Sequence, residues 1–203
     1  MLFANSEVKE LKVLPAKISA ERTATANSAE RPIRERQLAA YHRALEYLEG
    51  RHVLELGCGE GIGPSLFSQK AASVVALDYS EDALGTARNR YGDCGIRFEL
   101  MKVPPIDFPE NSFDAVVCFQ MIEHLNEPKE LVLEIKRVMR SNGYALFATV
   151  NKEESISENP YHLHEFSAAE FEALLREHFS AVEMYGVFGD ETFGRYWQSN
   201  RKW

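Results

Sequence analysis

The segment Glu55-Leu56-Gly57-Cys58-Gly59-Glu60-Gly61-Ile62-Gly63-Pro64 concentrates four alternating glycines in ten residues. Each glycine costs conformational entropy inside a helix or strand. The run makes sense where the backbone must turn sharply and approach a ligand closely. About 20 residues on stands Asp78, followed by Tyr79 and Ser80. An acid at that distance, closing a second strand, can accept both ribose hydroxyls of an adenine nucleoside. A tight strand–helix turn would also use glycines, but the strand before, the helix after and the distant acid together favour a ligand. The dinucleotide fingerprint G-x-G-x-x-G is not met. Counted from Gly57 its third glycine falls at Ile62, and from Gly59 at Pro64.

Two further groups carry side chains capable of chemistry. Gln120, Met121, Glu123 and His124 follow an apolar run, and His124 is the base candidate, since histidine is the side chain type suited to proton transfer at neutral pH. Its plainer role is to brace the neighbouring loop. The second group is Asn159-Pro160-Tyr161-His162-Leu163-His164-Glu165-Phe166. Tyr161, His162, His164 and Glu165 suit an acceptor pocket, or the packing of a helix entry. His162 and His164, two apart in a loop without further ligands, are a weak metal pair, so no metal is expected. Cys58, Cys94 and Cys118 are scattered and odd in number, which argues against disulfides and structural zinc.

Short apolar runs predict strands at His52–Leu56, Ser73–Leu77, Ile96–Leu100, Phe113–Phe119, Tyr144–Val150 and Phe179–Phe188. Near-continuous apolar runs suit a parallel sheet buried on both faces. Helical patterns lie between them. One starts at Arg34, with Leu38, Tyr41, Leu45 and Leu48 on its apolar face, and others cover Pro64–Lys70, Glu81–Tyr91 and Pro128–Arg140. A last helix is announced by Ser167 and Glu170 as a capping box, with Phe166 and Phe171 as a staple. The alternation predicts an α/β, Rossmann-like three-layer sandwich with a mostly parallel central sheet. Its ligands belong at the carboxyl ends of the strands.

Net charge is −8, from 31 acidic against 23 basic residues. Nucleic acid, which rewards a basic face, is therefore a poor partner. No apolar run approaches the roughly 18–20 residues of a membrane span, and the first residues lack a signal-peptide stretch. A cytoplasmic monomer or homodimer is expected. Residues 1–33 read as a flexible arm or a lid, and 34–203 as one domain.

The E-x-G-x-G-x-G spacing resembles motif I of the class I S-adenosylmethionine-dependent methyltransferases, and Leu77-Asp78-Tyr79-Ser80 resembles their ribose-binding segment. FPENSFDAVVCFQMIEHL and EIKRVMRSNGYALFATVN resemble the family's fourth- and fifth-strand regions, and together the matches cover about residues 50–152. Within the family the chain resembles the type 11 small-molecule group, to which quinone-type O-methyltransferases are similar. The resemblance implies S-adenosylmethionine as cofactor and S-adenosylhomocysteine as product. Gly57, Gly59 and Gly61, with Cys58, would pass the methionine part, and Glu55 would hold the loop or the amino-acid end. Asp78 would take the ribose, with Tyr79 beside the adenine and Ser80 next to them in the cofactor site. Many members have an acid where Lys102 stands, so adenine would rely on backbone around Lys102–Val103. Gln120 would border the cofactor, and Met121, Glu123, Tyr161, His162 and His164 the acceptor. Quinone-type members carry a metal-associated E-x-x-E-H phrase, of which Gln120 replaces the first acid. Ser141-Asn142 replace a Pro-Gly turn, with Asn142 expected in a left-handed conformation. The final antiparallel strand of the family is expected to be short or absent. The implied reaction is methyl transfer to oxygen or nitrogen of a small molecule such as a glycan or natural-product intermediate. Two alternatives stay open: a non-catalytic cofactor-binding protein, and a nicotinamide-dependent oxidoreductase disfavoured by the glycine spacing.

Overall fold

The computed structural model describes residues 2–5, 31–155 and 159–187. Seven strands form one sheet: β1 (Leu2–Asn5), β2 (His52–Leu56), β3 (Ser73–Asp78), β4 (Ile96–Leu100), β5 (Phe113–Phe119), β6 (Met139–Ala148) and β7 (Ala181–Met184). Their order is β4-β3-β2-β5-β6-β1-β7. β4, β3, β2, β5 and β6 are parallel neighbours, whereas β1 runs antiparallel to both β6 and β7.

Alternating residues of the strands divide into two cores, which makes the three layers. Leu54, Leu56, Leu77, Val116, Cys118 and Phe147 face one side, where α4 (Pro128–Val138) and α5 (Ala168–Arg176) supply Leu131, Ile135, Val138, Phe171 and Leu175. Val53, Val74, Ala76, Val117 and Leu146 face the other. There α1 (Arg31–Ala44), α2 (Ile62–Phe67) and α3 (Glu81–Tyr91) contribute Ala40, Ala44, Phe67 and Leu84. Burial on both faces explains why these strands read as continuous apolar runs. No helix among the described residues is long and apolar enough to cross a membrane.

The local signals resolve cleanly at the caps. Ser80 Oγ accepts from the Ala83 amide, and Pro128 opens α4. The Ser167–Glu170 capping box is complete, with the Phe166 and Phe171 rings 5.0 Å apart.

Several boundaries differ from expectation. α1 starts at Arg31. The strand expected from Phe179 is confined to Ala181–Met184; Phe179 is instead buried in the core, its ring 6.4 Å from that of Phe147 on β6. α2 starts two residues before Pro64, which falls at its third position, where a missing N–H loses no intrahelical bond. The expected turn at Ser141-Asn142-Gly143 does not form. β6 begins at Met139, and the register jumps from Phe113↔Met139 to Ala115↔Tyr144, so the extra residues form a bulge. Asn142 is accordingly not left-handed; Gly143 serves by its size, since a Cβ there would lie 2.6 Å from Met139 Cγ. The antiparallel place between β6 and β7, where the family's final strand was expected to be short or absent, is taken by Leu2–Asn5, from within the stretch 1–33. The rest of the expected arm up to residue 30, Phe188 and the aromatic-rich tail lie outside the described residues.

Candidate functional site

The glycine loop leaves β2 at the carboxyl edge of the sheet. Gly57, Gly59 and Gly61 have φ of 71°, 53° and 86°, the left-handed region that favours glycine. Asp78, at the end of β3, fastens the loop. Its Oδ2 accepts from the Gly59 amide at 2.8 Å and its Oδ1 from the Ser80 amide at 2.9 Å. Cys58 N donates to Leu77 O at 2.9 Å. Each Asp78 oxygen keeps a lone pair beyond these bonds, enough for two vicinal hydroxyls. Tyr79 beside it is 78% exposed and offers an open ring face. Lys102 is exposed and Val103 buried, while the Met101 amide donates to Asp78 O.

Glu55 is buried, and neither carboxylate oxygen has a hydrogen-bond partner. Burial pushes its pKa well above the usual carboxylate range; the nearby Tyr41 hydroxyl opposes this and the Asp78 charge adds to it. Tyr41 and Glu55 meet over Gly63, where an added Cβ would lie 2.3 Å from Tyr41 Cε1 and 2.5 Å from Glu55 Oε1. An orphaned buried carboxylate beside a glycine cradle fits the ammonium of an amino-acid ligand. Periodicity showed Tyr41 only as a core position, because its partner lies on a distant strand.

The second wall follows β5. Gln120 has φ of 51° and its amide donates to Ala148 O at 2.7 Å, which ties the end of β5 to β6. Met121 packs on Gly57, whose added Cβ would stand 3.0 Å from Met121 Cγ. Glu123 is fully buried; burial raises its pKa, and Thr149 Oγ1 donates to its Oε2 at 3.0 Å. Its main-chain carbonyl accepts from the Leu163 and His164 amides at 2.8 and 3.1 Å. His124 Nδ1 lies 2.8 Å from Tyr161 O, and the His124 and His162 ring centroids are 5.0 Å apart. His162 Nδ1 lies 2.5 Å from Glu165 Oε1.

The fold thus unites Glu123, His124 and His162, and divides the rest of the histidine loop. The Tyr161 ring is exposed and only its carbonyl joins the cluster, whereas His164 lies over Phe166 at 4.2 Å between centroids. Thr149 was missed by sequence reasoning. Its position just past β6, at the carboxyl edge, was the available signal.

Residues 54–147 match the family model described as a methyltransferase domain. The chain is 36% identical over 177 residues to a protein of Mycolicibacterium smegmatis named "Probable S-adenosylmethionine-dependent methyltransferase", covering 84% of this chain and 68% of that protein. It is 36% identical over 132 residues to the ubiquinone biosynthesis O-methyltransferase of Neisseria meningitidis, covering 61% and 52%. The chain therefore spans about half the length of that second relative. A solved S-adenosylmethionine-dependent methyltransferase from Aquifex aeolicus shares the fold, with a TM-score of 0.59 at 22% identity over 75% of this chain and 82% of that one. The chain belongs to the class I S-adenosylmethionine-dependent methyltransferases, and its cofactor is S-adenosylmethionine.

Proposed function

We propose that this chain moves a methyl group from S-adenosylmethionine to an oxygen or nitrogen atom of a small molecule. The packing of Met121 on Gly57 carries the reading, because it sets the glycine loop beside the Glu123–His124–His162 group. When bound, the cofactor supplies an electrophilic methyl on a sulfonium. The protein's work is to hold the two reactants at near-attack distance and keep water out.

In this reading Glu55 meets the ammonium, Asp78 the ribose hydroxyls, Tyr79 the adenine face, and backbone at Lys102–Val103 the adenine edge. Gly57, Cys58, Gly59, Gly61, Ser80 and Gln120 shape the remaining wall. Met121, Glu123, Tyr161 and His162 border the acceptor. With Nδ1–H donated to Tyr161 O, His124 presents the Nε2 lone pair to take the proton of a hydroxyl acceptor. A net charge of −8 favours a small molecule over nucleic acid. The ubiquinone-related relative makes oxygen the first atom to test.

Calorimetric titration with S-adenosylmethionine, S-adenosylhomocysteine and NADH, followed by a labelled-methyl acceptor screen, tests the proposal. Binding of the first two and label transfer to a phenol, hydroxy acid or sugar are expected. Binding without transfer across the screen would overturn catalysis, and label on protein or nucleic acid alone would overturn the acceptor class.

A further inference from the structure

Glu123, His124 and His162 each offer one donor atom, and the three atoms lie within 4.8 Å of one another. Among the described residues this is the one such group of three. The histidine pair 162 and 164, too weak a signal in sequence, is replaced by a different set drawn from two loops.

Three features separate it from incidental proximity. Each imidazole has its Nδ1 engaged by an acceptor, His124 by the Tyr161 carbonyl and His162 by the Glu165 carboxylate. Those bonds place the hydrogen on Nδ1 and the lone pair on Nε2, the arrangement that orients metal-ligating histidines. Glu123 Oε1 is buried with no hydrogen-bond partner, and a cation would remove that cost. The Leu163 and His164 amides, bonded to Glu123 O, hold the two loops together by backbone.

We propose that Glu123, His124 and His162 form a binding site for a divalent first-row transition-metal ion, with Zn²⁺ the best match. Two imidazoles and one carboxylate suit this ion and leave a fourth position open. Its place beside the acceptor rests on the proposed methyl transfer; ion binding itself does not. With the ion bound, His124 Nε2 would hold it and would no longer serve as the base described for the metal-free site. An acceptor hydroxyl in the fourth position would instead lose its proton to solvent water.

The test uses the untagged full chain, stripped with chelator and titrated separately with Zn²⁺, Co²⁺, Mn²⁺ and Mg²⁺. One equivalent of Zn²⁺ is expected, with visible absorption bands of low-coordinate Co²⁺. Uptake should be lost in His162→Ala and Glu123→Gln, weakened about 10- to 100-fold in Glu165→Gln, and kept in His164→Ala. S-adenosylhomocysteine binding in the same samples reports folding, and His162→Gln replaces any variant that fails it. No stoichiometric uptake, or uptake indifferent to His162 and Glu123, overturns the site. Cofactor binding without metal uptake would sink this inference alone, whereas absent cofactor binding would sink the methyl-transfer reading.

Discussion

The Nδ1 of His124 lies 2.8 Å from the main-chain carbonyl of Tyr161, joining the turn after β5 to the loop after β6. Asn159 shapes that loop, its Oδ1 accepting from the Tyr161 amide at 3.0 Å. The carbonyl acceptor dictates the Nδ1–H tautomer. Long-range ¹H–¹⁵N NMR at alkaline pH on metal-free protein should find His124 in that form, and an Nε2–H tautomer would refute it. Asn159→Ala should loosen the loop and cost about 0.5–1.5 kcal/mol of stability.

Asp78 carries two backbone hydrogen bonds as well as its proposed ribose contact. Asp78→Ala should weaken S-adenosylhomocysteine binding about 10- to 100-fold, from charge-assisted bonds of about 1.5–3 kcal/mol. Calorimetry reads this directly. Unchanged affinity would remove Asp78 from the cofactor site.

Two helical glycines should respond oppositely to alanine. At Gly85 an added Cβ meets nothing within 4 Å, so Gly85→Ala should stabilise by about 0.5–1 kcal/mol. At Gly63 it would strike Tyr41 and Glu55, and overpacking of about 1–3 kcal/mol should prevail. Thermal melts of the two variants would separate these signs.

The capping box makes a prediction about acid. Lys152 and then the Ser167 amide hold the Glu170 carboxyl down at about 2, from 4.5. A depressed folded pKa stabilises above the unfolded value and loses that contribution as pH falls from about 4.5 toward about 2. Glu170→Gln should flatten this part of the pH–stability profile, with high salt weakening the wild-type effect. Ser167→Ala should cost about 1 kcal/mol at neutral pH.

The parallel strands, the caps and the glycine loop were legible in the sequence because each follows from local periodicity or from a residue's own conformational range. β2, β4 and β5 keep their expected bounds, and Ser80 and Ser167 cap as their spacing requires. Tertiary structure decided what depends on distant partners. The bulge of β6 answers to Asp114 and Phe113, Tyr41 reaches Glu55 only through packing on Gly63, and Leu2–Asn5 enters the sheet between strands far along the chain. The histidine cluster is of the same kind. Glu123 and His162 are 39 positions apart by their numbers, and the hydrogen bonds from Leu163 and His164 to Glu123 O bring them together.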